Sequence, residues 1–185
     1  LLADSTSGKV TVLEVVPSML RAMLDVPVSP EVALGHLRWM VATGEALPGE
    51  LCQRFSARHP RVPVVNAYGP TECSDDVTHA IIPKGSERAT APVGKPIQNT
   101  RIYVLDPHGS PTPIGVPGEV YVGGDGVGRG YLDDPARTAD AFVPDPFGPP
   151  GARLYRTGDR GRRLPTGELE FLGRGERRLF FTRSR

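Results

Sequence analysis

A short polar loop combines four types of side chain that are suited to binding a nucleotide. It spans residues 66–72, which read Asn-Ala-Tyr-Gly-Pro-Thr-Glu, and it directly follows the predicted strand 62–65. The ring can stack on a base, the amide can bond a base edge, the hydroxyl can contact phosphate and the carboxylate can ligate Mg²⁺. Open α/β sheets bind ligands at the carboxyl ends of their strands, so the position also favours a site. The alternative for the loop taken alone is an ordinary Gly-Pro turn with a capping threonine.

Two further segments contain residues that could contribute to such a site. Residues 118–132 read Gly-Glu-Val-Tyr-Val-Gly-Gly-Asp-Gly-Val-Gly-Arg-Gly-Tyr-Leu, and residues 155–159 read Tyr-Arg-Thr-Gly-Asp. In the first, Arg129 stands where a dinucleotide-binding fingerprint needs its last glycine, so tight backbone turns explain the glycines better. A lone Thr-Gly-Asp is more often a turn than a binding site.

Strands and helices alternate in the first half of the chain and must position the loop. Residues 10–16 and 37–43 are rich in β-branched and apolar side chains and predict buried strands. One helix is predicted to begin after Ser18, which would act as its N-cap, and a second helix is predicted to begin after Pro48. Together with strand 62–65, this alternation predicts a layered α/β fold with a largely parallel sheet.

After about residue 83 the sequence changes in character, because glycine and proline become frequent and the predicted strands shorten. A helix is predicted at 135–142, and strands are predicted at 100–105, 118–122, 154–156 and 169–172. This pattern predicts antiparallel β-structure resembling a small barrel. We therefore expect an α/β subdomain over residues 1–90, carrying pocket and loop, and a β-rich subdomain over residues 91–185.

The composition excludes several classes of partner. Twenty-two Lys and Arg residues against 21 Asp and Glu residues give a net charge of +1, which provides no general attraction to nucleic acid or to an anionic membrane. No apolar run approaches the ~20 residues of a membrane helix. The two cysteines, Cys52 and Cys73, lack metal-ligand spacing and are too few for a disulfide scaffold. These features indicate a cytoplasmic protein without nucleic-acid or membrane partners.

The three polar segments together resemble the motifs of amino-acid adenylation domains in nonribosomal peptide synthetases. Residues 66–72 are similar to NxYGPTE, residues 118–132 to GELxIxGxGVARGYL, and residues 155–159 to Y(R/K)TGD. These motifs occur in order over nearly the whole chain, which argues against a chance match. The resemblance implies a fragment of the large N-terminal lobe of such a domain.

The resemblance implies a role for each matching residue. Tyr68 would stack on adenine and Asn66 would contact its edge. Thr71 would contact the α-phosphate and Glu72 would ligate Mg²⁺, which makes these two the catalytic residues. The other nucleotide contacts would be Gly44, Glu45 and Ala46 on the second face of adenine, Asp159 at the ribose hydroxyls, and Arg174 near the hinge between lobes.

The family's reaction uses ATP and Mg²⁺ to join an amino acid to AMP, after which the phosphopantetheine thiol of a peptidyl carrier protein captures the aminoacyl group. The amino acid, the carrier protein and neighbouring synthetase domains are therefore the implied partners. The family's phosphate loop would lie before Leu1 and its catalytic lysine beyond Arg185, so we expect the isolated chain to be inactive. Residues 173–183 depart from the family pattern GRxDxQVKIRG, with Glu176 at the hinge position.

Six residues align with positions that line the family's amino-acid pocket: Glu14, Val41, Thr43, Ala67, Asp75 and Asp76. An unpaired acid inside a strand is costly to bury, so the three acids favour a cationic substrate side chain. The partial code is similar to that of domains selecting 2,4-diaminobutyrate. The alternative is that the two aspartates form a solvated pair and that Glu14 caps a backbone donor.

Two other functions remain open from the sequence. One is an acyl- or aryl-CoA ligase of the same superfamily, although the sequence of loop 66–72 and the acids of the pocket favour an amino acid. The other is an inactive adenylation-domain remnant that binds only nucleotide or partner proteins.

Overall fold

The computed structural model describes residues 9–26 and 34–175 of the chain. Residues 176–183, which belong to the segment that departs from the family pattern, lie outside this part. The elements, in chain order, are β1 (Val12–Val15), α1 (Pro17–Asp25), β2 (Trp39–Ala42), α2 (Gly49–Arg58), β3 (Val64–Tyr68), a 3₁₀ turn (Thr71–Cys73), β4 (Thr78–Ile82), β5 (Lys95–Pro96), β6 (Thr100–Leu105), β7 (Gly118–Gly124), α3 (Pro135–Ala141), β8 (Phe142–Pro144), β9 (Arg153–Arg163) and β10 (Leu169–Arg174).

The first sheet has the order β1-β2-β3-β4-β5. Strands β1, β2 and β3 are parallel, with helices α1 and α2 in their connections, so the predicted parallel α/β layer is confirmed. Strand β4 was not predicted, and it runs antiparallel to β3 because a 3₁₀ turn joins the two in place of a helix. The sheet continues to Pro96 in β5, while the division of the chain at residue 90 stays a prediction.

One face of this sheet carries the first hydrophobic core. Met40, Ala42 and Val64 project from the strands and pack with Leu51 and Phe55 of α2. The opposite face carries Glu14, which is exposed, so the expectation of a buried acid is wrong. The reason is that side chains alternate between the two faces along β1, so Glu14 projects away from the core on the same face as the exposed Val12.

The predicted N-cap of helix α1 is also wrong. Val16 occupies the cap position with extended backbone angles of φ −75° and ψ 148°, and Pro17 is the first helical residue. Proline suits this position because its fixed φ is helical and its missing N–H would have no partner there. The Ser18 side chain instead contacts Glu45, as described below.

The second sheet is antiparallel, with the order β10-β9-β7-β6, and β8 pairs with β9. It curls into a half-barrel, which confirms the predicted β-rich half. Its core contains Val120, Val122 and Tyr155 and also takes in Cys73 and Val77 from the connection that follows β3. The 3₁₀ turn is therefore packed between the two sheets. In the described residues, no helix is both long and apolar enough to cross a membrane.

A backbone bridge at Gly94 joins the two sheets. The Leu169 amide donates to the Gly94 carbonyl at 2.6 Å, and the Val93 amide donates to the Leu169 carbonyl at 3.0 Å. Gly94 has a φ of +89°, and a Cβ at this position would lie 1.9 Å from the backbone oxygen of His79. A side chain larger than hydrogen would push β4 away from this bridge.

We predict that Gly94→Ala destabilises the chain by about 3 kcal/mol or more, because the clash involves rigid backbone. The matched control is Gly109→Ala, at a φ of +79°, where a Cβ would have no atom within 4 Å. This control carries only the backbone strain of a left-handed residue, about 1–2 kcal/mol. Urea denaturation would measure both free energies of unfolding. Equal losses in the two variants would contradict a steric role for Gly94.

Candidate functional site

A cavity of about 350 Å³ lies between the two sheets, where β2 and β3 end. Seven of the eight residues predicted to bind the nucleotide line it: Gly44, Glu45, Ala46, Asn66, Tyr68, Asp159 and Arg174. Thr71, the eighth, is exposed on the 3₁₀ turn and is not among the lining residues. The sequence analysis missed Phe171, whose ring centroid lies 5.8 Å from that of Tyr68. Its position on β10 becomes significant only when the two sheets meet.

Tyr68 and Asp159 connect opposite sides of the cavity. The Tyr68 hydroxyl donates a hydrogen bond of 2.7 Å to Asp159 Oδ2. Burial, and then the negative charge of Asp159, raise the pKa of Tyr68 well above its usual value, so the phenol stays protonated as a donor. Asp159 is only 7% exposed, and its backbone is fixed because its amide donates to Thr157 Oγ1 at 2.9 Å.

Arg174 contacts the other oxygen of the same carboxylate. Its Nε donates to Asp159 Oδ1 at 3.2 Å, while the arginine side chain remains 81% exposed. Water competes for the exposed guanidinium, and the buried Asp159 also holds a hydrogen bond from Tyr68. The guanidinium is therefore available to an anionic ligand.

Asn66 holds the wall of the cavity opposite β3. The residue is 2% exposed, and its Nδ2 donates to the carbonyls of Ala91 and Pro92 at 3.2 and 2.9 Å. Both amide hydrogens are thus used by the protein backbone. The amide oxygen is the remaining polar atom that could contact a base edge.

Glu45 fixes the loop that forms another wall. Its carboxylate accepts hydrogen bonds from the Ser18 backbone amide at 3.0 Å and from the Ser18 hydroxyl at 2.8 Å. The carboxylate therefore satisfies a donor in the first turn of α1, where negative charge is favourable. Through this contact Glu45 ties residues 44–46 to the helix that follows β1.

Glu72 lies on the 3₁₀ turn, where two tyrosines surround its carboxylate. The Tyr131 hydroxyl donates to Glu72 Oε1 at 2.7 Å. Burial alone would raise the pKa of Glu72, but hydrogen bonds from the Tyr131 and Tyr155 hydroxyls outweigh it and hold the pKa below its usual value. An ionised carboxylate oxygen is the type of ligand that Mg²⁺ prefers, so this residue fits the predicted metal role.

The predicted pocket residues lie near one another at the open face of the first sheet. Carboxylate oxygens of Glu14, Asp75 and Asp76 all lie within 4.8 Å of one another. The Thr43 hydroxyl donates to Asp76 Oδ1 at 3.2 Å. Val41 pairs in register with Glu14 on the neighbouring strand.

His79 joins this cluster although the sequence analysis did not include it. Its Nε2 lies 2.9 Å from Asp76 Oδ2, and the residue pairs in register with Ala67. The alternating pattern of β4 could have indicated this position. Because the sequence analysis did not predict β4, it assigned His79 no neighbour. The cluster therefore contains an imidazole as well as three acids.

Glu14 has an environment opposite to that of Glu72. Partial burial and the charges of Asp76 and Asp75 raise the pKa of Glu14, while His79 partly offsets them. A carboxylate whose neighbours are mainly anionic gains from an added cation. The cluster therefore favours a positively charged group over an apolar one.

Comparisons with known proteins identify the family. Residues 1–132 match the family described as AMP-binding enzyme. The chain belongs to this family. Phosphinothricin tripeptide synthetase PhsB of Streptomyces viridochromogenes is 49% identical over 166 residues, covering 89% of this chain and 14% of that protein. The dimodular nonribosomal peptide synthase of Bacillus subtilis is 42% identical over 170 residues, covering 92% of this chain and 7% of that protein.

Solved structures of nonribosomal peptide synthetases share the fold. PA1221, a nonribosomal peptide synthetase protein with adenylation and PCP domains, superimposes with a TM-score of 0.85 at 33% identity, covering 95% of this chain and 35% of that one. The synthetase FmoA3 in an AMPPNP-bound form gives a TM-score of 0.82 at 36% identity, covering 91% and 18%. The predicted resemblance to adenylation domains and the predicted fold are therefore confirmed. The chain spans only a small part of these proteins.

We predict that Asp76→Asn lowers the pKa of Glu14 and that Asp75→Asn lowers it less, because Asp76 contributes the larger repulsion. Carboxyl ¹³C NMR titration of the chain would measure both shifts. His79→Gln is the control of opposite sign, since removing the imidazolium should raise the Glu14 pKa. An unchanged Glu14 pKa in Asp76→Asn would show that these carboxylates do not interact.

Proposed function

We propose that this chain forms the nucleotide-binding wall and the side-chain pocket of an enzyme that activates an amino acid as aminoacyl-AMP in nonribosomal peptide synthesis. The observation that carries the proposal is the meeting of Tyr68, Asp159 and Arg174 in one cavity, although they come from separate segments of the chain. An aromatic ring beside a carboxylate and a mobile guanidinium offers stacking, hydrogen-bond acceptors and positive charge to one ligand. ATP supplies matching chemistry.

In this proposal the chain's residues act by holding and orienting the reactants. Tyr68 stacks on adenine while Asn66 offers its amide oxygen to the base edge, and Gly44, Glu45 and Ala46 close the opposite side. Asp159 accepts hydrogen bonds from the ribose hydroxyls, and Arg174 moves toward the bound nucleotide. Fixing the α-phosphate beside the amino-acid carboxylate converts a collision into an oriented attack, from which pyrophosphate leaves.

Glu72 and Thr71 are proposed to act at the phosphates. Mg²⁺, when bound, neutralises charge that develops on the reacting phosphates. The Glu72 carboxylate supplies an ionised oxygen for it, and its lowered pKa keeps that oxygen unprotonated near neutral pH. The exposed Thr71 hydroxyl is available to contact the α-phosphate.

We propose a short cationic amino acid as the substrate, with 2,4-diaminobutyrate first and ornithine or lysine next. Support comes from the three carboxylates whose oxygens lie within 4.8 Å of one another. His79 Nε2 lies 2.9 Å from Asp76 Oδ2. Burial and then the charges of Asp76 and Asp75 raise the pKa of Glu14, which disfavours its ionised form. A substrate ammonium group would relieve this repulsion.

The partners and compartment are proposals of the same kind. A peptidyl carrier protein with its phosphopantetheine arm would receive the aminoacyl group, and neighbouring synthetase domains would be further partners. PA1221 contains both adenylation and PCP domains, which supports this arrangement. Cys52 and Cys73 are unpaired thiols, as expected in the reducing cytoplasm. An acyl- or aryl-CoA ligase is the second candidate, but three clustered carboxylates do not suit an uncharged acyl chain.

We predict that Glu72→Gln in the complete adenylation domain lowers the rate of amino-acid-dependent pyrophosphate exchange by about 10²–10³-fold, because a charged contact to the reacting phosphates is lost. The matched control is Glu87→Gln, at an exposed glutamate outside the site, which should keep the parent rate. Thermal unfolding of both variants should match the parent. A Glu72 variant that loses stability but keeps its rate would show that the residue is structural.

We predict that the complete domain prefers diamino acids over Leu, Thr and Glu, and that Glu14→Leu abolishes this preference. A site that bonds a charged group rejects uncharged analogues strongly, since its own polar groups would be left unpaired. Pyrophosphate exchange across a panel of diamino acids of increasing length measures the preference. The exposed Glu50→Leu is the control. Preference for Leu in the parent would refute the cationic pocket without affecting the proposed reaction.

A further inference from the structure

The segment that follows β7 presses directly against the turn that carries Glu72. The Gly128 amide donates to the Glu72 carbonyl at 2.8 Å, and the Ser74 hydroxyl donates to the Gly126 carbonyl at 2.9 Å. A Cβ on Gly126 would lie 2.8 Å from the Cys73 oxygen. The backbone of the turn is therefore fixed from both ends by one glycine-rich segment.

Tyr131, at the end of this segment, reaches the Glu72 carboxylate itself. Its hydroxyl lies 2.7 Å from Glu72 Oε1, a contact between residues 59 positions apart. The Tyr155 hydroxyl lies 3.5 Å from that of Tyr131 and extends the hydrogen-bonded group. One oxygen of the carboxylate is thus held by a neutral donor that leaves its negative charge in place.

The ring of Tyr131 is itself held on three sides. The Arg137 guanidinium carbon lies 4.2 Å from the ring centroid, and Phe142 packs edge-on with a centroid separation of 5.6 Å. The Tyr131 backbone amide donates to Thr138 Oγ1 at 2.9 Å. These contacts fix the position of the hydroxyl, because a phenol ring has few rotatable bonds.

We infer that Tyr131 is a positioning residue for metal binding: its hydroxyl holds one oxygen of Glu72 so that the carboxylate presents the other to Mg²⁺ in a fixed orientation. The inference rests on the proposed function, since it requires Glu72 to be the metal ligand. Groups that hydrogen-bond to a metal ligand orient it and typically change metal affinity or activity by about 10–100-fold. Tyr131 matches this arrangement without touching the nucleotide cavity.

Tyr131→Phe in the complete adenylation domain is the decisive variant, because it removes the hydroxyl and keeps the ring contacts. Mn²⁺ serves as the probe, with its dissociation constant measured by electron paramagnetic resonance in the presence of AMPPNP. We expect this constant to rise about 10-fold. The KM for the amino acid and the melting temperature should stay close to those of the parent. Tyr121→Phe is the matched control, since its hydroxyl contacts Glu119 at 3.4 Å on another part of the sheet.

A second variant tests the support of the ring with the hydroxyl retained. Thr138→Val removes the hydroxyl that accepts from the Tyr131 backbone amide and leaves the charges around Glu72 unchanged. We expect the Mn²⁺ dissociation constant to rise about two- to fivefold, the equivalent of one lost hydrogen bond. This variant keeps the inference testable if Tyr131→Phe fails to fold.

The outcomes separate this inference from the proposed function. An unchanged Mn²⁺ constant in Tyr131→Phe together with a raised one in Glu72→Gln would overturn the positioning role and leave the function intact. Unchanged constants in both variants would show that Glu72 is not the metal ligand, which overturns both. A loss of affinity that accompanies an equally large loss of thermal stability, with Thr138→Val at the parent value, would make Tyr131 merely structural.

Discussion

The hydrogen bond from Tyr68 to Asp159 is the contact on which the cavity depends. It joins residues 91 positions apart in sequence, one at the end of a strand in the parallel layer and the other in the curled antiparallel sheet. The Gly94–Leu169 bridge brings the two sheets to this distance. Without that junction the aromatic ring and the carboxylate would face solvent separately, and neither sheet alone could enclose a ligand.

Polar side chains hold the walls of the cavity. Asn66 bonds the backbone at Ala91 and Pro92, and Glu45 bonds the first turn of α1. Most of the hydrogen-bonding groups of each side chain contact the protein, so each residue limits the positions that its own segment can adopt. A site built in this way is largely formed before a ligand arrives, which reduces the ordering cost of binding.

Two glutamates illustrate how environment divides roles between identical side chains. Donors surround Glu72 and keep its pKa low, whereas partial burial and neighbouring acids raise the pKa of Glu14. The first environment stabilises an anion that is ready to ligate a metal. The second disfavours the ionised form of Glu14. This difference supports the proposal that one carboxylate acts at the phosphates and the other at the substrate side chain.

The sequence by itself determined the family, the alternation of strands and helices and the candidate residues, because the residues of a motif and hydrophobic periodicity are local properties. It predicted strand 100–105 and all of helix α3, with one residue too many at its end, since turn residues and a proline mark these elements. Only the tertiary structure brought His79 to Asp76 and Tyr131 to Glu72, and revealed that Glu14 is exposed. These contacts and this exposure depend on how sheets and turns from segments tens of residues apart pack together. No local sequence pattern encodes that packing.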